Sequence, residues 1–451
     1  MELQNIQRVY LVGIGGIGMS GLARYFHRLG CVVYGYDKTP TDLTDTLHNE
    51  GIQASFDDNS DCIPKSFRDF DEGTLIIYTP AIPKDSQILN FFKSKGFELY
   101  KRSQVLGLIS KGKYTIAVAG THGKTTTSSM VAHILKDSGK DCSAFLGGIS
   151  SNYQSNVMFG DNDIVVVEAD EYDRSFLTLY PDVAIVTSMD ADHLDIYGDH
   201  SKLTESFVLF ASQIKQGGTL IHYKGLPLEG GLTYSIDGNA DARAVNIRVE
   251  NGDFYFDFNN AAISINNIKL GIAGLHNIAN ATAAIEAALL VGVPADAIKT
   301  ALESFRGVKR RFEYILKDEQ HIFIDDYAHH PEELKAAISS VKRLYPDKKL
   351  TTIFQPHLYT RTRDFVDGFA EALDMSDELL MLDIYPAREL PIEGVNSDII
   401  LQRMALQNKH LYSMHDAVEK VKNEQPELLL TVGAGDIDTL VQPLKQALQN
   451  G

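Results

Sequence analysis

A glycine-rich turn near residue 120 constrains this chain more than any other stretch of its sequence. Residues 114–127 read YTIAVAGTHGKTTT, an apolar run that enters a glycine turn and then a threonine-rich helix start. A strand, a tight turn and a helix in that order point backbone N–H groups and a helix N-terminus at one place. The stretch therefore predicts a loop that binds a polyphosphate.

The side chains of this loop suit ATP and a metal ion. Lys124 supplies a positive charge for the outer phosphates, and the hydroxyl of Thr125 is a ligand for Mg²⁺. Val118 stands where the complete P-loop motif has its first glycine, so the match is the shorter GxxGKT. The alternative is an ordinary strand-to-helix turn with an exposed lysine. The hydroxyl-bearing residues that follow Lys124 favour ATP binding.

A second glycine-rich turn, GIGGIGMSG, follows a short apolar strand at residues 9–12. Gly13, Gly15 and Gly18 satisfy GxGxxG, and Asp37 follows the next strand at about the distance of the acidic residue in dinucleotide-binding folds. The glycines indicate only that a pyrophosphate can approach a helix N-terminus, so NAD and a nucleotide-sugar diphosphate fit equally well. The alternative for Asp37 is a turn or helix-capping residue.

Acidic residues follow the apolar strand predicted at residues 163–167. They are Glu168, Asp170, Glu171 and Asp173. Carboxylates at the carboxyl end of a parallel strand beside a phosphate loop bind its metal ion, and a solvated acidic loop is the alternative for some of the four. His193 lies in the loop MDADHLD after the next strand, and its spacing alone does not separate a structural role from metal binding.

The sequence from residue 310 onward predicts a second doubly wound α/β unit. Strand-like runs recur there at residues 322–324, 350–354, 379–384 and 428–432. Each run ends in polar residues, and ligands of open α/β sheets bind at the carboxyl ends of the strands. The side chains that are candidates to converge on an anion such as a carboxylate are His329, His330, His357, Tyr359, Arg361 and Arg363. A histidine metal site is the rival, but no acidic residue stands at a suitable interval.

Charge and composition restrict the partners and the compartment. The net charge of −18, from 42 basic and 60 acidic residues, argues against nucleic acid or an anionic membrane as a partner. The three cysteines suit neither a disulfide framework nor a metal site, which indicates a reducing compartment. The apolar run at residues 9–14 is too short for a signal peptide, and the one at 281–293 is too short to span a membrane. We therefore expect a cytoplasmic protein without membrane insertion.

Four motifs in this order resemble the Mur ligases of peptidoglycan synthesis over essentially the whole chain. They are GIGGIGMSG, GTHGKTT, EADEYDRSF with DADHLD, and DDYAHHP with QPHLYTRT. The resemblance implies an α/β fold of three domains. These are a Rossmann-like UDP-binding domain at residues 1–106, a P-loop ATPase-like central domain at 107–309, and a C-terminal Rossmann-like domain at 310–451 for the amino acid.

The resemblance is nearest to the members that add L-alanine to UDP-N-acetylmuramate, with ATP and Mg²⁺ as cofactors. It implies that the lactoyl carboxylate attacks ATP to form an acyl phosphate, which the amine of L-alanine then attacks. On this reading the first glycine loop binds a UDP diphosphate rather than NAD. We expect a monomer or a homodimer.

The family motifs imply a role for individual residues. The implied UDP-substrate residues are Gly13, Gly15, Gly16, Gly18 and Asp37. The implied ATP-binding residues are Gly120, Thr121, His122, Gly123, Lys124, Thr125, Thr126, Asn277, Arg311 and Asp326. The implied metal ligands are Thr125, Glu168 and His193, and the implied catalytic residues are Lys124, Glu168 and His193. The incoming L-alanine is implied to contact Tyr327, His329 and Arg361.

Three positions distinguish this chain from family patterns. Leu358 replaces the arginine of the usual PHRYTRT, which removes one charge near the amino acid or substrate. Arg388 stands where a glycine is common and is a candidate to restore that charge. Phe207 stands where several sister ligases carry a carbamylated lysine, consistent with the alanine-adding members.

Three other functions remain as alternatives. A murein tripeptide recycling ligase shares the motifs of the first two domains, but PHLYTRT and DDYAHHP favour alanine addition. An NAD-dependent oxidoreductase would bind NAD with the first glycine loop and Asp37. The second glycine loop counts against this function. A regulatory ATP-binding module would show no substrate-dependent release of ADP.

Overall fold

The chain, described here by a computed structural model, is defined at residues 3–190, 197, 199–250, 252–387 and 389–449. Its internal contacts divide it into two compact units. The first unit comprises Met1–Val245, Phe258–Ile265 and Ala279–Ser304, and the second comprises Asn246–Asp257, Asn266–Ile278 and Phe305–Gly451.

The N-terminal part of the first unit is a parallel sheet flanked by helices. Its strands are β1 (Arg8–Val12), β2 (Val32–Tyr36), β3 (Gln53–Ser55), β4 (Thr74–Tyr78) and β5 (Leu99–Lys101). Its helices are α1 (Ile17–Arg28), α2 (Asp42–Asn49), α3 (Gln87–Ser94) and α4 (Arg102–Ser110). The strand order is β3-β2-β1-β4-β5. Val9 and Leu11 enter one apolar core and Tyr10 and Val12 another, so β1 is buried on both faces and reads as a continuous apolar run.

The central part of the chain forms a ten-stranded sheet. Its strands are β6 (Tyr114–Ala119), β7 (Ser143–Ser150), β8 (Ser155–Met158), β9 (Ile164–Glu168), β10 (Val183–Val186), β11 (Thr219–Tyr223), β12 (Leu232–Ser235), β13 (Ala242–Glu250), β14 (Asp253–Asn259) and β15 (Ser264–Leu270). Its helices are α5 (Lys124–Asp137), α6 (His200–Ser212), α7 (Leu275–Leu290) and α8 (Ala295–Ser304). The order is β15-β14-β13-β12-β11-β10-β6-β9-β7-β8, which places β6 between β9 and β10, with both neighbours parallel to it.

The C-terminal part of the second unit is a six-stranded sheet. Its strands are β16 (Glu313–Lys317), β17 (Ile322–Asp326), β18 (Leu350–Phe354), β19 (Glu378–Met381), β20 (Lys409–Leu411) and β21 (Leu428–Val432). Its helices are α9 (Pro331–Leu344), α10 (Tyr359–Asp364), α11 (Val366–Leu373), α12 (Asp398–Leu401), α13 (Met414–Glu424) and α14 (Val441–Gln449). The order is β16-β17-β21-β18-β19-β20, with β16 as an antiparallel edge strand.

Short 3₁₀ turns complete the described secondary structure. They are Leu3–Asn5, Ser60–Cys62, Lys65–Phe67, Tyr172–Thr178 and Asp436–Leu440. Within the described residues, no helix has the length and apolar character needed to cross a membrane. The polypeptide passes from one unit to the other within β13, β14, β15 and α7.

Candidate active site

The predicted phosphate loop connects β6 to α5, and two of its glycines are required by geometry. Gly123 has φ 81°, and a Cβ there would lie 2.6 Å from Oδ1 of Asn280. Gly120 has φ 136°, and a Cβ there would overlap the hydroxyl of Thr187. Any other residue would be strained in this backbone region and would also collide. The sequence GTHG therefore imposes the turn that directs α5 toward the loop.

Hydrogen bonds from the segment after β10 fix the loop. The backbone N–H of His122 donates to Oγ of Ser188 at 2.8 Å, and the N–H of Thr121 donates to the Ser188 carbonyl oxygen at 3.2 Å. The Thr187 hydroxyl donates to the carbonyl oxygen of His122. These contacts hold the loop from one side, so its shape does not depend on α5 alone.

Lys124 is held as a cation inside the loop. Its Nζ lies 2.6 Å from the carbonyl oxygen of Gly120 and 2.9 Å from Oε1 of Glu171, whose side chain is 1% exposed. Burial alone would lower the pKa of Lys124, but the carboxylates of Glu171, Asp170 and Glu168 raise it. Burial raises the pKa of Glu171, and the charge of Lys124 opposes that rise. Lys124 therefore carries its charge at neutral pH.

Glu168 and Thr125 have oxygen atoms suited to Mg²⁺. Glu168 ends β9 in register with Val118 of β6, which places its carboxylate at the carboxyl edge of the sheet beside the loop. The N–H of Gly147 donates to Oε2 of Glu168 at 2.9 Å, and a Cβ at Gly147 would overlap the carboxylate. Thr125 lies in the first turn of α5. A hydroxyl and a carboxylate are typical Mg²⁺ ligands, so these residues fit the predicted ion.

The third predicted ligand, His193, lies outside the described residues. Among the residues that are described, no group of three or more histidine, cysteine, aspartate or glutamate side chains is arranged to hold a metal ion.

Asp37 binds the first glycine loop from within the protein. Its Oδ2 accepts a hydrogen bond from the N–H of Gly15 at 2.7 Å, and its Oδ1 accepts one from the N–H of Thr39 at 3.3 Å. These contacts correspond to the turn role considered as the alternative for Asp37. Gly13 has φ 92°, which favours glycine, and Gly16 is the N-cap of α1. Contact with a UDP-sugar stays a prediction for this loop.

A cavity of about 320 Å³ lies between the first glycine loop and the carboxylates beside the phosphate loop, within the first unit. Its polar and glycine lining includes Gly16, Gly18, Arg102, Asn156, Glu168 and Asp170. Asn156, from β8, donates through Nδ2 to the carbonyl oxygen of Ile17, and its Oδ1 accepts from Arg24 at 2.8 Å. The start of α1 is thereby fixed to the strand pair β7–β8. One cavity joins the predicted UDP site to the predicted metal site.

Three predicted ATP-binding residues belong to the second unit and bind groups of that unit. Asn277 is 2% exposed and donates to the carbonyl oxygen of Ala273 at 2.5 Å. Asp326 accepts from the N–H of Phe312 at 2.6 Å, and burial raises its pKa to about 6 although Arg311 opposes the rise. The Arg311 guanidinium lies 5.1 Å from the centre of the Tyr327 ring. Their contact with ATP stays a prediction.

The three residues predicted to contact L-alanine lie in one cluster at the carboxyl ends of β17 and β18. The rings of Tyr327 and His329 are 5.2 Å apart, and those of His329 and His357 are 5.9 Å apart. Nη1 of Arg361 lies 3.4 Å from Nδ1 of His357. Burial lowers the pKa of His329, and Glu333 partly opposes this, so His329 is neutral at neutral pH. The cluster combines the Arg361 cation with the neutral imidazole of His329.

Two of the six polar side chains expected at this edge pack against or pair with neighbouring residues. Arg363 is exposed and donates to Oδ1 of Asp364 at 2.7 Å. Arg361 and Arg363 are two positions apart on α10, and residues at that spacing do not share a helix face. The buried His330 packs against the ring of Phe365 at 4.8 Å. Arg361 and Arg363 therefore do not face the same way, and convergence of the remaining residues on an anion stays a prediction.

The structure describes two of the three positions that distinguish this chain from family patterns, Leu358 and Phe207. Leu358 has φ 70°, an unusual conformation for a branched side chain, and its N–H donates to the carbonyl oxygen of Tyr385 at 3.0 Å. Arg388 lies outside the described residues, so the compensating charge has no structural account. Phe207 is fully buried on α6, with its ring edge-on to Phe176 at 5.2 Å.

Sequence reasoning missed two residues that shape the site. They are Arg102 and Gly147, and no sequence motif marks either one. Both act on partners far along the chain: Arg102 contacts Asp170, 68 positions away, and Gly147 contacts Glu168, 21 positions away. No local pattern signals such contacts.

Comparison with known proteins gives matches along the whole chain. The Mur ligase family, catalytic domain, matches residues 8–114; the Mur ligase middle domain matches 118–288; and the Mur ligase, glutamate ligase domain, matches 310–435. A UDP-N-acetylmuramate–L-alanine ligase of Flavobacterium psychrophilum is 48% identical over 448 residues, 99% of each chain.

Solved structures agree with these matches. The crystal structure of UDP-N-acetylmuramate–alanine ligase from Thermotoga maritima superposes with a TM-score of 0.83 at 27% identity, over 98% of this chain and 99% of that one. A murein peptide ligase from Psychrobacter arcticus gives a TM-score of 0.67 at 23% identity over 99% of each chain, which is a likeness of fold alone. The predicted α/β architecture of three domains is confirmed.

Proposed function

Because this chain belongs to the Mur ligase family, we propose that it joins L-alanine to the lactoyl carboxylate of UDP-N-acetylmuramate and converts ATP to ADP and phosphate. The cavity that runs from Gly18 to Glu168 carries the proposal, since a UDP-sugar on the first glycine loop would extend toward the phosphate loop. The full-length similarity to a relative named for this reaction supports alanine as the amino acid.

In this proposal, each of the three substrates binds to a different segment of the chain. Residues 1–106 bind the UDP-sugar, residues 107–309 bind ATP, and residues 310–451 bind L-alanine. Tyr327, His329 and Arg361 then hold the amino acid, with the Arg361 guanidinium matched to its carboxylate.

In the first step, a lactoyl carboxylate oxygen forms a bond to the γ-phosphorus of ATP. The bond from that phosphorus to the β–γ bridging oxygen breaks, and ADP leaves. A carboxylate that approaches a triphosphate meets like charge, and the cation of Lys124 offsets it. Thr125, Glu168 and His193 would hold Mg²⁺, which supplies further charge neutralisation to the phosphates when bound.

In the second step, the amine of L-alanine attacks the acyl carbon and inorganic phosphate leaves. The amine must first lose a proton, because an ammonium group has no free electron pair. Neutral His329 lies in the cluster proposed for the amino acid, and His193 is the other candidate acceptor. No protein nucleophile takes part, since the acyl phosphate is formed on the substrate itself.

The test is phosphate release by the purified protein with MgATP and UDP-N-acetylmuramate. Alanine, glycine and serine are supplied in turn, and the tripeptide L-alanyl-γ-D-glutamyl-meso-diaminopimelate in a separate reaction. We expect release that depends on both the UDP-sugar and L-alanine, with a UDP-N-acetylmuramoyl-alanine product by mass spectrometry. Release that requires the tripeptide would instead establish a recycling ligase, and release without any UDP-sugar would refute the proposal.

A further inference from the structure

Arg102 occupies a distinctive position in the cavity between the two glycine loops. It is the first residue of α4, and its side chain is 26% exposed. Among the described residues that line the cavity, it is the only cation, whereas Glu168 and Asp170 supply negative charge. Among these lining side chains, Arg102 is therefore the one that would attract an anionic substrate electrostatically.

The guanidinium lies directly over the first glycine loop. A Cβ at Gly18 would lie 3.0 Å from Cδ and from Cζ of Arg102 and would overlap Nη1. A side chain at position 18 would therefore displace the Arg102 guanidinium from its place over the loop. The same position is the first turn of α1, where backbone N–H groups also favour an anion. The charge of Arg102 and the start of α1 therefore act on the same volume.

Asp170 holds Arg102 in this position but engages only part of the hydrogen-bonding capacity of its guanidinium. Nη2 of Arg102 lies 3.4 Å from Oδ2 of Asp170, and Oδ1 of Asp170 accepts from the N–H of Tyr172 at 3.0 Å. A guanidinium has five N–H donors in a planar fork, and this long contact engages one of them. The fork is oriented by Asp170 and keeps donors for a further oxyanion.

We propose that Arg102 binds an oxyanion of the UDP-sugar, and that Asp170 positions its guanidinium for that contact. The inference rests on the proposed function, because it takes the substrate to be UDP-N-acetylmuramate. That substrate offers two oxyanions, the diphosphate and the lactoyl carboxylate, and both match the planar fork of arginine. Arg102 is then a substrate-binding residue that lies beside the carboxylates of the metal site.

The test compares two nucleotide sugars in equilibrium titrations of the full-length protein. UDP-N-acetylglucosamine has the same diphosphate as UDP-N-acetylmuramate but lacks the lactoyl carboxylate. Arg102→Ala should raise the Kd for UDP-N-acetylmuramate by about tenfold to a hundredfold, the range for loss of a charge-assisted hydrogen bond. Arg102→Lys, which keeps the charge without the fork, should recover part of that loss. An equal loss with UDP-N-acetylglucosamine assigns Arg102 to the diphosphate, and an unchanged Kd for it assigns the lactoyl carboxylate.

Two controls make the result specific. Arg28→Ala removes an exposed arginine of α1 that does not line the cavity, and it should leave both Kd values unchanged. The Kd for MgATP should also be unchanged in Arg102→Ala. If wild-type protein binds UDP-N-acetylmuramate and the Arg102 variants bind it equally well, the inference is wrong. If wild-type protein does not bind it, the proposed function itself has failed. Arg102→Lys decides the question alone if Arg102→Ala does not fold.

Discussion

At the scale of single residues, burial sets the charge of the groups around both candidate sites. Lys124 stays protonated because carboxylates surround it, whereas burial lowers the pKa of His276 to about 4. Burial also raises the pKa of Asp326 to about 6, so its ionised form is disfavoured relative to an exposed aspartate. The second unit therefore contains ionisable groups whose titration is coupled to folding.

His276 should make stability fall in mild acid. Its folded-state pKa of about 4 lies below its ordinary value of 6.5, so the unfolded chain takes up a proton first as the pH falls below 6.5. The free energy of unfolding then decreases with decreasing pH, by about 2 kcal/mol at pH 5 for this group. Urea titrations at pH 7 and pH 5 should show a smaller loss for His276→Asn than for wild type. His415→Asn, an exposed position on α13, is the control and should match wild type. Equal losses for all three proteins would contradict the assignment.

At the scale of elements, the site is built where strands end. β6 leads into the phosphate loop, β9 ends in Glu168, and β7 supplies the N–H of Gly147 that holds the glutamate. Because β6 and β9 are parallel neighbours in register, their carboxyl ends bring the loop and the carboxylate together without any long side chain. The backbone of β7 therefore supports the carboxylate of the proposed metal site.

Gly147→Ala should weaken Mg²⁺ binding. The added methyl group would displace the carboxylate of Glu168, and loss of such a supporting contact lowers metal affinity or activity by about tenfold to a hundredfold. We expect a higher Mg²⁺ concentration at half-maximal phosphate release, and weaker Mg²⁺ binding in calorimetry with a non-hydrolysable ATP analogue. Gly238→Ala is the control, since its nearest neighbour would be Ser235 Oγ at 3.5 Å. An unchanged Mg²⁺ dependence would show that Gly147 does not position Glu168.

The sequence predicted the elements whose pattern is local and missed those defined by distant partners. β1, β6 and β9 are apolar runs buried on both faces of a sheet, and they could be located from their residues. The three-residue edge strands β3 and β20 are partly exposed and form only by pairing with β2 and β19. Such strands have too little apolar character to be seen in the sequence.

The same limit applies to the candidate site. The glycines of both loops and Lys124 were predicted from motifs, because backbone geometry demands those residue types at fixed spacing. The contact of Arg102 with Asp170 depends on the packing of α4 beside the central sheet, and nothing near Arg102 in the sequence indicates it. His193 and Arg388 lie outside the described residues, so their predicted roles stay predictions.

At the scale of the whole molecule, this acidic protein places one cation at each of its two proposed anion sites. The net charge is −18, yet Arg102 and Lys124 each lie beside a glycine loop in the first unit. The two loops belong to different sheets, so the proposed sites for the UDP-sugar and ATP depend on different residues. A mutation that abolishes binding at one of these sites should therefore leave binding at the other intact.

Lys124→Ala should reduce turnover strongly and leave the UDP-sugar site intact. Loss of one positioned charge at the reacting phosphates lowers the rate by about a hundredfold to a thousandfold. The Kd for UDP-N-acetylmuramate, measured by titration, should stay within about twofold of wild type, and this ligand should still raise the melting temperature. Lys140→Ala, a surface change after α5, serves as control and should retain wild-type turnover. If Lys124→Ala also lost the UDP-sugar, the assignment of the two loops to separate ligands would be wrong.

The crossing of β13, β14, β15 and α7 between the units has a consequence for folding during synthesis. The first unit is complete only after Ser304 has left the ribosome, because α8 belongs to it. Nε2 of His133, in the helix that follows the phosphate loop, lies 3.0 Å from Oγ of Ser304, and Asn152 donates to the Ser304 carbonyl oxygen at 2.9 Å. During synthesis, the first unit, which contains both glycine loops, thus cannot be completed before translation of the second unit begins. The segments Asn246–Asp257 and Asn266–Ile278 belong to the second unit. They are translated early but can pack into that unit only after the polypeptide from Phe305 onward has emerged.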